Sequence, residues 1–556
     1  MNACLLLKRI LWIDGSPGRL ASKSVAIWRR LSQRSAWDNV AQVEREVLVD
    51  KDLIIGIDSS TTACKAIAWD RTGHPISESR VDLELLSPQP NWYEQHAEDW
   101  WDTLVAVLRA LTAQIDARRV AALCIAHQRE TFVLVDEDCQ PIRNAILWMD
   151  DRSRHEVTLL ERHPGYDYIQ QVTGKGPSTK QALPKLLWLQ THEPDVLPRT
   201  YKILDVHAFL TYRLTNRWVT SLPSADPMAI VDMQQGVLAS PLLEKLGIDP
   251  GKFVEIVPPG TILGEITRHA AELTGLLPGI PLIAGVGDGQ SAGLGANITG
   301  PGRAYLNLGT AMVSGAHSDT YVADRAFRTM CSAIKGAYVL EGVLASGTFI
   351  VRWFVEQFGP DVRGLGLPLA AEELLELAAR KLPPGSLGLM LVPYWGAVLS
   401  PYWDAAATGI TIGWTGAHRR EHFYRAILEG LAFEHRLVMD GMSNATHQTI
   451  NEFTLMGGGS RSDLWCHIIA DVTGKPVARA STAEASNLGA AIVAASSMGW
   501  YPNIHDAANA MTRNEQRFDP HEATCATYNR LYTEVYQGLF PALQTYIDRL
   551  TELTYQ

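Results

Sequence analysis

The sequence predicts an α/β protein of two similar domains facing one another across a central cleft. Three features point there. A chain of 556 residues exceeds what one core usually supports. Strand-length apolar runs alternate with segments of helical period. A strand pair enclosing a turn of small residues also occurs twice, about half a chain apart, which would aim both turns at one cleft. The boundary is placed in the Gly/Pro/Thr stretch Ile298–Gly302, giving domains 51–298 and 299–556.

Residues 1–50 are basic in places and show no repeat. Lys8 and Arg9 interrupt the only apolar run there, which argues against a signal peptide. The segment reads as a targeting stretch or as upstream sequence included by a misassigned start. The second is expected, and the segment is set aside functionally.

From Leu53 the elements follow in order. Leu53–Ile57 and Lys65–Trp69 read as strands, with Gly73-His74-Pro75 turning the chain after them. Trp101, Leu104, Val105, Leu108, Leu111 and Ile115 have the spacing of an amphipathic helix. Val120–Ala126 and Thr131–Val135 return to strand character. In the second half, "PLIAGVGDGQSAGLGA" and "RAYLNLGTAMVSGA" are strands running into small-residue turns, the latter around Gly309 and Thr310. "TLMGGGSRSDLWCHIIADVTGKPV" joins a short strand, three glycines and a helix whose buried stripe is Leu464, Trp465, Ile468, Ile469 and Val472. Ser460 and Asp463 have capping-box spacing at its start.

Composition narrows the function. Hydrophobic content of 46% and charged content of 20% describe an ordinary globular chain. A net charge of -11 excludes non-specific nucleic-acid binding, since no basic field tracks phosphates. Seven cysteines without a CxxC pair give neither a disulfide framework nor a zinc motif, and a reduced, cytoplasmic setting is expected. No apolar run reaches the ~18 residues of a membrane span.

Chemistry concentrates in "LIIGIDSSTTACKAIAWD". A turn of Ser59, Ser60, Thr61 and Thr62 suits a phosphate chain, Lys65 offsets its charge, and Asp58 would approach it through a divalent cation such as Mg2+. A capped polar hairpin is the plainer alternative. The turn at Gly309 and Thr310 and the glycines 457–459 favour phosphate loops, because three such loops in one α/β chain are hard to explain otherwise.

From Leu53 to about Trp500 these segments resemble the FGGY carbohydrate kinases. "GIDSSTTACKA" is similar to the first phosphate loop, with Ser60 where many members have glycine. "QPNWYEQHAEDWW", "AHQRETFVLVD" and "NAILWMDDRS" resemble the substrate-facing stretches, and "GITIGWTGAHRREHFYRAILEG" the late signature, with Thr411 and Trp414 departing from it. The resemblance implies an actin-like (ribonuclease H-like) sugar-kinase fold, ATP with Mg2+, and a small sugar or polyol acceptor, and a homodimer is allowed.

Residue by residue, it implies nucleotide contacts from Ser60, Thr61, Thr62, Gly309, Thr310, Gly457, Gly458, Gly459 and Ser460, with Asp58 and Lys65 in the catalytic set. Asp226, in "VTSLPSADPMAIVDM", is taken as the base, although many relatives place that acid two residues earlier, at Ser224 here. Gln128, Arg129 and Glu130 stand at a strand's carboxyl end and resemble glycerol kinase's hydroxyl clamp. Trp148 is an apolar wall or a core residue, and Asp288 orients magnesium-bound water or holds a hinge. Lys180 stands where glycerol kinase has a pocket tyrosine. An ammonium there supplies a partner for an extra oxygen, so erythritol is expected first, glycerol second and, as the alternative, a xylulose-type ketopentose. An actin-like ATPase switch and a catalytically dead sugar-binding regulator are the readings of other classes.

Overall fold

Leu53, Ile54, Ile55 and Ile57 are all fully buried, so the first strand must be covered on both faces. The computed structural model describes residues 50–359, 371–396, 398–404 and 406–554, and from Asp52 onward the chain is one unit. The N-terminal segment set aside above lies almost entirely outside the described residues. The first sheet contains β1 (Leu53–Ser59), β2 (Ala63–Trp69), β3 (Pro75–Asp82), β4 (Val120–His127), β5 (Ile262–Glu265) and β6 (Pro281–Gly287) in the order β5-β6-β4-β1-β2-β3. The β1–β2 and β2–β3 pairs are antiparallel, β1–β4 and β4–β6 are parallel, and β5 closes the edge antiparallel.

The second sheet repeats that sequence of senses. It is built from β7 (Arg303–Leu308), β8 (Met312–Ser318), β9 (Arg328–Cys331), β10 (Tyr338–Leu344), β11 (Glu452–Met456), β12 (Val477–Ala480) and β13 (Asn514–Phe518), ordered β9-β10-β8-β7-β11-β12-β13. The β7–β8 and β8–β10 pairs are antiparallel, β7–β11 and β11–β12 are parallel, and β13 is the antiparallel edge. The mixed α/β architecture with a duplicated sheet agrees with the sequence prediction.

The helices that matter for the site are α1 (Ala97–Thr112), α2 (Ala182–His192), α3 (Asp288–Gly295), α4 (Arg420–Thr446), α5 (Asp463–Thr473), α6 (Ala485–Ser497) and α7 (Ile504–Met511). Side chains alternate along β1. Leu53, Ile55 and Ile57 pack with Leu104, Leu108 and Leu111 of α1, whereas Ile54 faces Leu488, Ile492 and Val493 of α6. The predicted α1 stripe is buried at Trp101, Leu104, Leu108 and Leu111; Trp100, which the spacing omitted, is buried as well and donates its indole N–H to Gln95 Oε1 at 2.9 Å. Helix α6, from the second half of the sequence, therefore covers the first sheet.

At α5 the structure corrects the predicted cap. Ser462, not Ser460, accepts from the Trp465 N–H at 3.1 Å. Ser460 instead turns its hydroxyl back to the Gly457 carbonyl at 2.7 Å, and Asp463 pairs with Arg479 at 2.6 Å. The Phe132–Val135 strand leaves the main sheet and joins Glu94–Gln95, Ala145–Ile146 and Lys202–Asp205 in a smaller one.

Candidate active site

Each main sheet ends, at the carboxyl ends of its central strands, in turns of small residues. Ser59 to Thr62 link β1 to β2, and Ser60 closes that turn by donating from its hydroxyl to the Ala63 carbonyl at 2.8 Å. Gly309 and Thr310 link β7 to β8, and their carbonyls accept from Thr348 and Gly347 N–H at 2.8 and 2.9 Å. Gly457 to Ser460 follow β11, the parallel neighbour of β7, so the second and third turns are adjacent. Gly457 has φ +82 and sits where a Cβ would meet Leu308 backbone at 2.9 Å, and a Cβ on Gly459 would strike the Trp465 ring at 2.5 Å. Gly458 alone faces open space, which makes it the turn's approachable backbone.

A short bridge connects the two halves at these turns. Arg479, at the end of β12, donates to the Ser460 carbonyl at 2.6 Å, and a few residues on Glu484 pairs with Lys65 at 2.6 Å. Lys65 sits opposite Asp58 in the β1–β2 register. Asp58 Oδ1 is enclosed and has no hydrogen-bond partner among the described residues. Burial first, then the Asp288 and Glu484 carboxylates, push the Asp58 carboxyl up to about 7 against the pull of Lys65. An unpartnered carboxylate oxygen with more negative charge beside it fits a divalent cation. Among the described residues no set of three or more His, Cys, Asp or Glu side chains could enclose a metal alone. Magnesium keeps waters and phosphate oxygens as most of its ligands, so one or two carboxylates are enough to hold it.

The acid of the Leu222–Met228 turns is wholly enclosed. Asp226 Oδ2 accepts from Lys175 Nζ at 3.2 Å and from the Cys331 backbone N–H at 2.8 Å, while Oδ1 has only the Gln290 amide at 3.4 Å. Burial pushes its carboxyl up to about 6, against Lys175 and the Cys331 N–H. Ser224, two residues earlier, is buried too and spends its hydroxyl on Ser221 at 2.9 Å.

Arg129 and Glu130 are neither a surface pair nor a free clamp. Arg129 reaches Asp288 at 3.0 Å and Glu341 at 2.9 Å, and Glu130 reaches Arg328 at 2.8 Å. Arg328, itself partly exposed, also holds Glu341 at 2.5 Å, so four charges from both halves close into one network. Burial alone would raise the Glu341 carboxyl, but the two guanidiniums outweigh it and hold it down to about 2. Glu130 occupies the left-handed region at φ +62, a costly conformation for a non-glycine residue that aims its carboxylate across the interface.

Gln128, Trp148 and Lys180, three expected sugar contacts, each have protein partners. The Gln128 amide is taken up by Gln95, Thr61 and Thr131 at 3.0 to 3.2 Å. Trp148 is half-buried and donates its indole N–H to Thr61 Oγ1 at 2.9 Å, which ties it to the first turn. Lys180 is partly exposed and pairs with Asp151 at 3.1 Å. A cleft between the halves is lined by Lys175, Lys180, Gln181, Arg328, Glu341 and Trp403, among others. Lys175, Gln290, Arg328, Glu341 and Glu484 were not anticipated from sequence. Of these only Glu341 carried a signal, as a lone carboxylate within the apolar run "YVLEGVL".

The repeated sheet with its small-residue turns is the arrangement expected of a sugar kinase, and the family comparison shows the family. Residues 53–295 match the FGGY family of carbohydrate kinases, N-terminal domain, and residues 304–498 match the C-terminal domain of the same family. The chain belongs to the FGGY family of carbohydrate kinases, enzymes that transfer phosphate from ATP to a sugar. It is 26% identical over 493 residues to a xylulose kinase of Bacillus subtilis (strain 168), covering 88% of this chain and 96% of the relative. It superimposes on the crystal structure of xylulose kinase from Rhodospirillum rubrum with TM-score 0.83 at 28% identity, covering 89% of this chain and 99% of the other. Glycerol kinase of Plasmodium falciparum with ADP shares the fold at TM-score 0.79 and 20% identity, covering 87% and 97%. Among the described residues no helix is long and apolar enough to cross a membrane.

Proposed function

We propose that the chain phosphorylates a ketopentose of the xylulose type with ATP, and that Asp226 is the base. The ketopentose, second to the short polyols on sequence grounds, moves ahead of erythritol and glycerol. The xylulose kinases are its relatives across nearly the whole chain. The glycerol-type clamp that favoured a short polyol is already engaged by Arg328 and Glu341. The observation that carries the assignment is the cleft lined by Lys175, the ammonium partner of Asp226, where polar side chains from both halves converge. Lys180, partly exposed with one ammonium donor on Asp151, keeps donors for an oxygen that glycerol lacks.

In the reaction the acceptor hydroxyl gives its proton to Asp226 as its oxygen bonds the γ-phosphorus and the bond to ADP breaks. Oδ1 is the oxygen for this task, since Oδ2 is held by Lys175 and Cys331. A carboxyl raised to about 6 is matched to proton transfer near neutral pH. Asp58 and Asp288 would hold Mg2+, which when bound neutralises phosphate charge. The turns at 59–62, 309–310 and 457–460 supply backbone N–H groups and hydroxyls to the nucleotide, and Lys65 adds a positive charge beside the first. A cytoplasmic setting fits this role.

Two measurements test the proposal. ADP release is followed with D-xylulose, ribitol, threitol, erythritol and glycerol under one set of conditions. D-xylulose is expected to lead in kcat/KM by more than about tenfold, ~1.4 kcal/mol of transition-state preference; a polyol ahead of it sinks the substrate assignment. Asp226→Asn is expected to lower kcat by about 10²-fold or more with ATP affinity unchanged. Normal turnover in that variant would move the base elsewhere.

A further inference from the structure

Lys175 is among the largest fully buried side chains of the molecule, yet it lies between two glycines, Gly174 and Gly176, on no helix or strand. Its ammonium has three donors and finds Asp226 Oδ2 at 3.2 Å and the Thr173 carbonyl at 2.8 Å, with the Met233 sulfur at 3.8 Å. The loop that carries it is fixed at both ends. Gly174, with φ +75, packs so closely on β9 that a Cβ would meet the Thr329 carbonyl at 2.6 Å, and the Thr329 N–H donates to the Gly174 carbonyl at 2.8 Å. Gln181 reaches back to the Gly176 carbonyl at 2.8 Å. A buried lysine pinned by its own loop against one carboxylate oxygen is expensive to build unless the pair has a task.

We propose that Lys175 is a positioning residue for phosphoryl transfer: it fixes Asp226 Oδ2, turns Oδ1 toward the acceptor hydroxyl, and keeps the base ionised. The proposal rests on Asp226 being the base. The Cys331 N–H, from β9 of the other half, shares the same oxygen. The carboxylate is thus oriented jointly by both halves, whereas its ionisation depends chiefly on Lys175. Charged or titratable groups on the segments around it are Lys185 on α2, Arg328 and Cys331 on β9, Glu341 and Tyr338 on β10, Asp288 on α3, Arg129 and Glu130 beyond β4, Asp232 beside Met233, and Tyr321. Of these Arg129 also lowers the Asp226 pKa, more weakly than Lys175. Arg129 and Arg328 are already balanced by Glu341, Asp288 and Glu130.

The sign of the effect follows. Removing the ammonium raises the Asp226 pKa further, so the base is protonated over more of the neutral range. An opposite charge at this distance shifts a carboxyl by about 1–3 units. The experiment uses the full-length chain with ATP, Mg2+ and the fastest acceptor of the panel above, and compares Lys175→Met, Lys175→Gln and Lys175→Arg. For Met and Gln the acid limb of kcat is expected to move up by about one to two units, with kcat about 2- to 10-fold lower at pH 7, recovery towards pH 9 and the KM for ATP unchanged. Lys175→Arg keeps the charge and is expected to hold the limb near its original position. A limb that stays within 0.3 unit (about the error of such a profile) in Met and Gln, or a loss of kcat equal at every pH, overturns the proposal. So does failure of all three variants to yield folded protein, which would make Lys175 a folding residue. The two assignments are separable. An active Asp226→Asn removes the base and this role with it, whereas an inactive Asp226→Asn beside an unmoved limb removes only the role of Lys175.

Discussion

Glu434 shows how much a single buried carboxyl does without touching the reaction. It is fully buried in α4, and both its oxygens accept from tyrosine hydroxyls, Tyr394 at 3.0 Å and Tyr536 at 2.9 Å. Burial outweighs both donors and pushes the carboxyl from 4.5 up to about 7. The native state therefore binds this proton more tightly than the unfolded chain, and stability falls as pH rises from about 4.5 to 7. The buried His435 beside it, held down to about 3 by burial, acts in the opposite sense. The informative quantity is consequently a difference between two proteins. Urea midpoints from pH 5 to 8 should fall more steeply for the wild-type chain than for Glu434→Gln, diverging by up to about 3 kcal/mol; parallel curves would show that Glu434 is not neutral in the fold. Individual residues were unevenly legible in the sequence. Arg129 and Glu130 stood out because they follow a strand, but their partners Glu341 and Arg328 lie 212 and 198 residues away, and no local pattern pairs them. Asp226 was legible as a loop acid; the lysine behind it was not, since Lys175 belongs to no periodic segment.

Elements were legible where period and burial coincide. The Leu53–Ile57 strand, the α1 stripe and the α5 stripe follow directly from apolar spacing, because each has a buried face of fixed width. The α5 cap was misplaced by two residues because two serines and an aspartate compete there, and only the Arg479 ion pair decides which one caps. What spacing cannot give is the partner of a helix, and α6 is the instructive case. Its run "ASNLGAAIVAASS" sets Leu488, Ile492 and Val493 among alanines, serines and a glycine, and the small residues allow close approach beside the apolar ones. Its contact with α3 uses that freedom fully: a Cβ on Gly489 would lie 1.9 Å from the Ser291 carbonyl. Gly489→Val must therefore separate the helices, and overpacking of this kind costs about 1–3 kcal/mol or more. Because α3 begins with Asp288, kcat should fall along with Tm. Gly538→Ala, in a helix where a Cβ meets nothing within 4 Å, is the control and should hold or raise Tm. Equal Tm in Gly489→Val and the wild-type would show that the close approach is not tight.

On the scale of the molecule, the two halves are not separable pieces joined at Ile298–Gly302. Helices α6 and α7, from the second half, cover one face of the first sheet. Beneath them lie Ile54, Ile67, Trp69, Cys124, Ala126, Ile283 and Val286, all buried. Asn487 of α6 stitches the contact with three hydrogen bonds, accepting from the Trp69 indole at 2.7 Å and donating to the Gly56 and Lys65 carbonyls at 3.0 and 3.2 Å. A Cβ on Gly56 would lie 2.4 Å from the Asn487 carbonyl, so the strand has no room for anything else there. Cutting the chain at 298 leaves the β1–β4–β6 centre of the sheet bare on one face. Each large apolar side chain so exposed costs about 1.5–3 kcal/mol, and several together exceed the 5–15 kcal/mol by which domains are usually stable. The fragment 51–298 alone should therefore be insoluble, or soluble but dye-binding and without a cooperative melt. Joining residues 481–512 to it through a flexible linker should restore a cooperative transition, because that segment carries the whole roof. The intact chain should melt in one transition, since the Arg129–Glu341 and Glu130–Arg328 pairs and the α6 roof make each half depend on the other. Calorimetry on the three proteins decides the matter: a folded, cooperatively melting 51–298 fragment would mean that the first sheet does not need the helices of the second half.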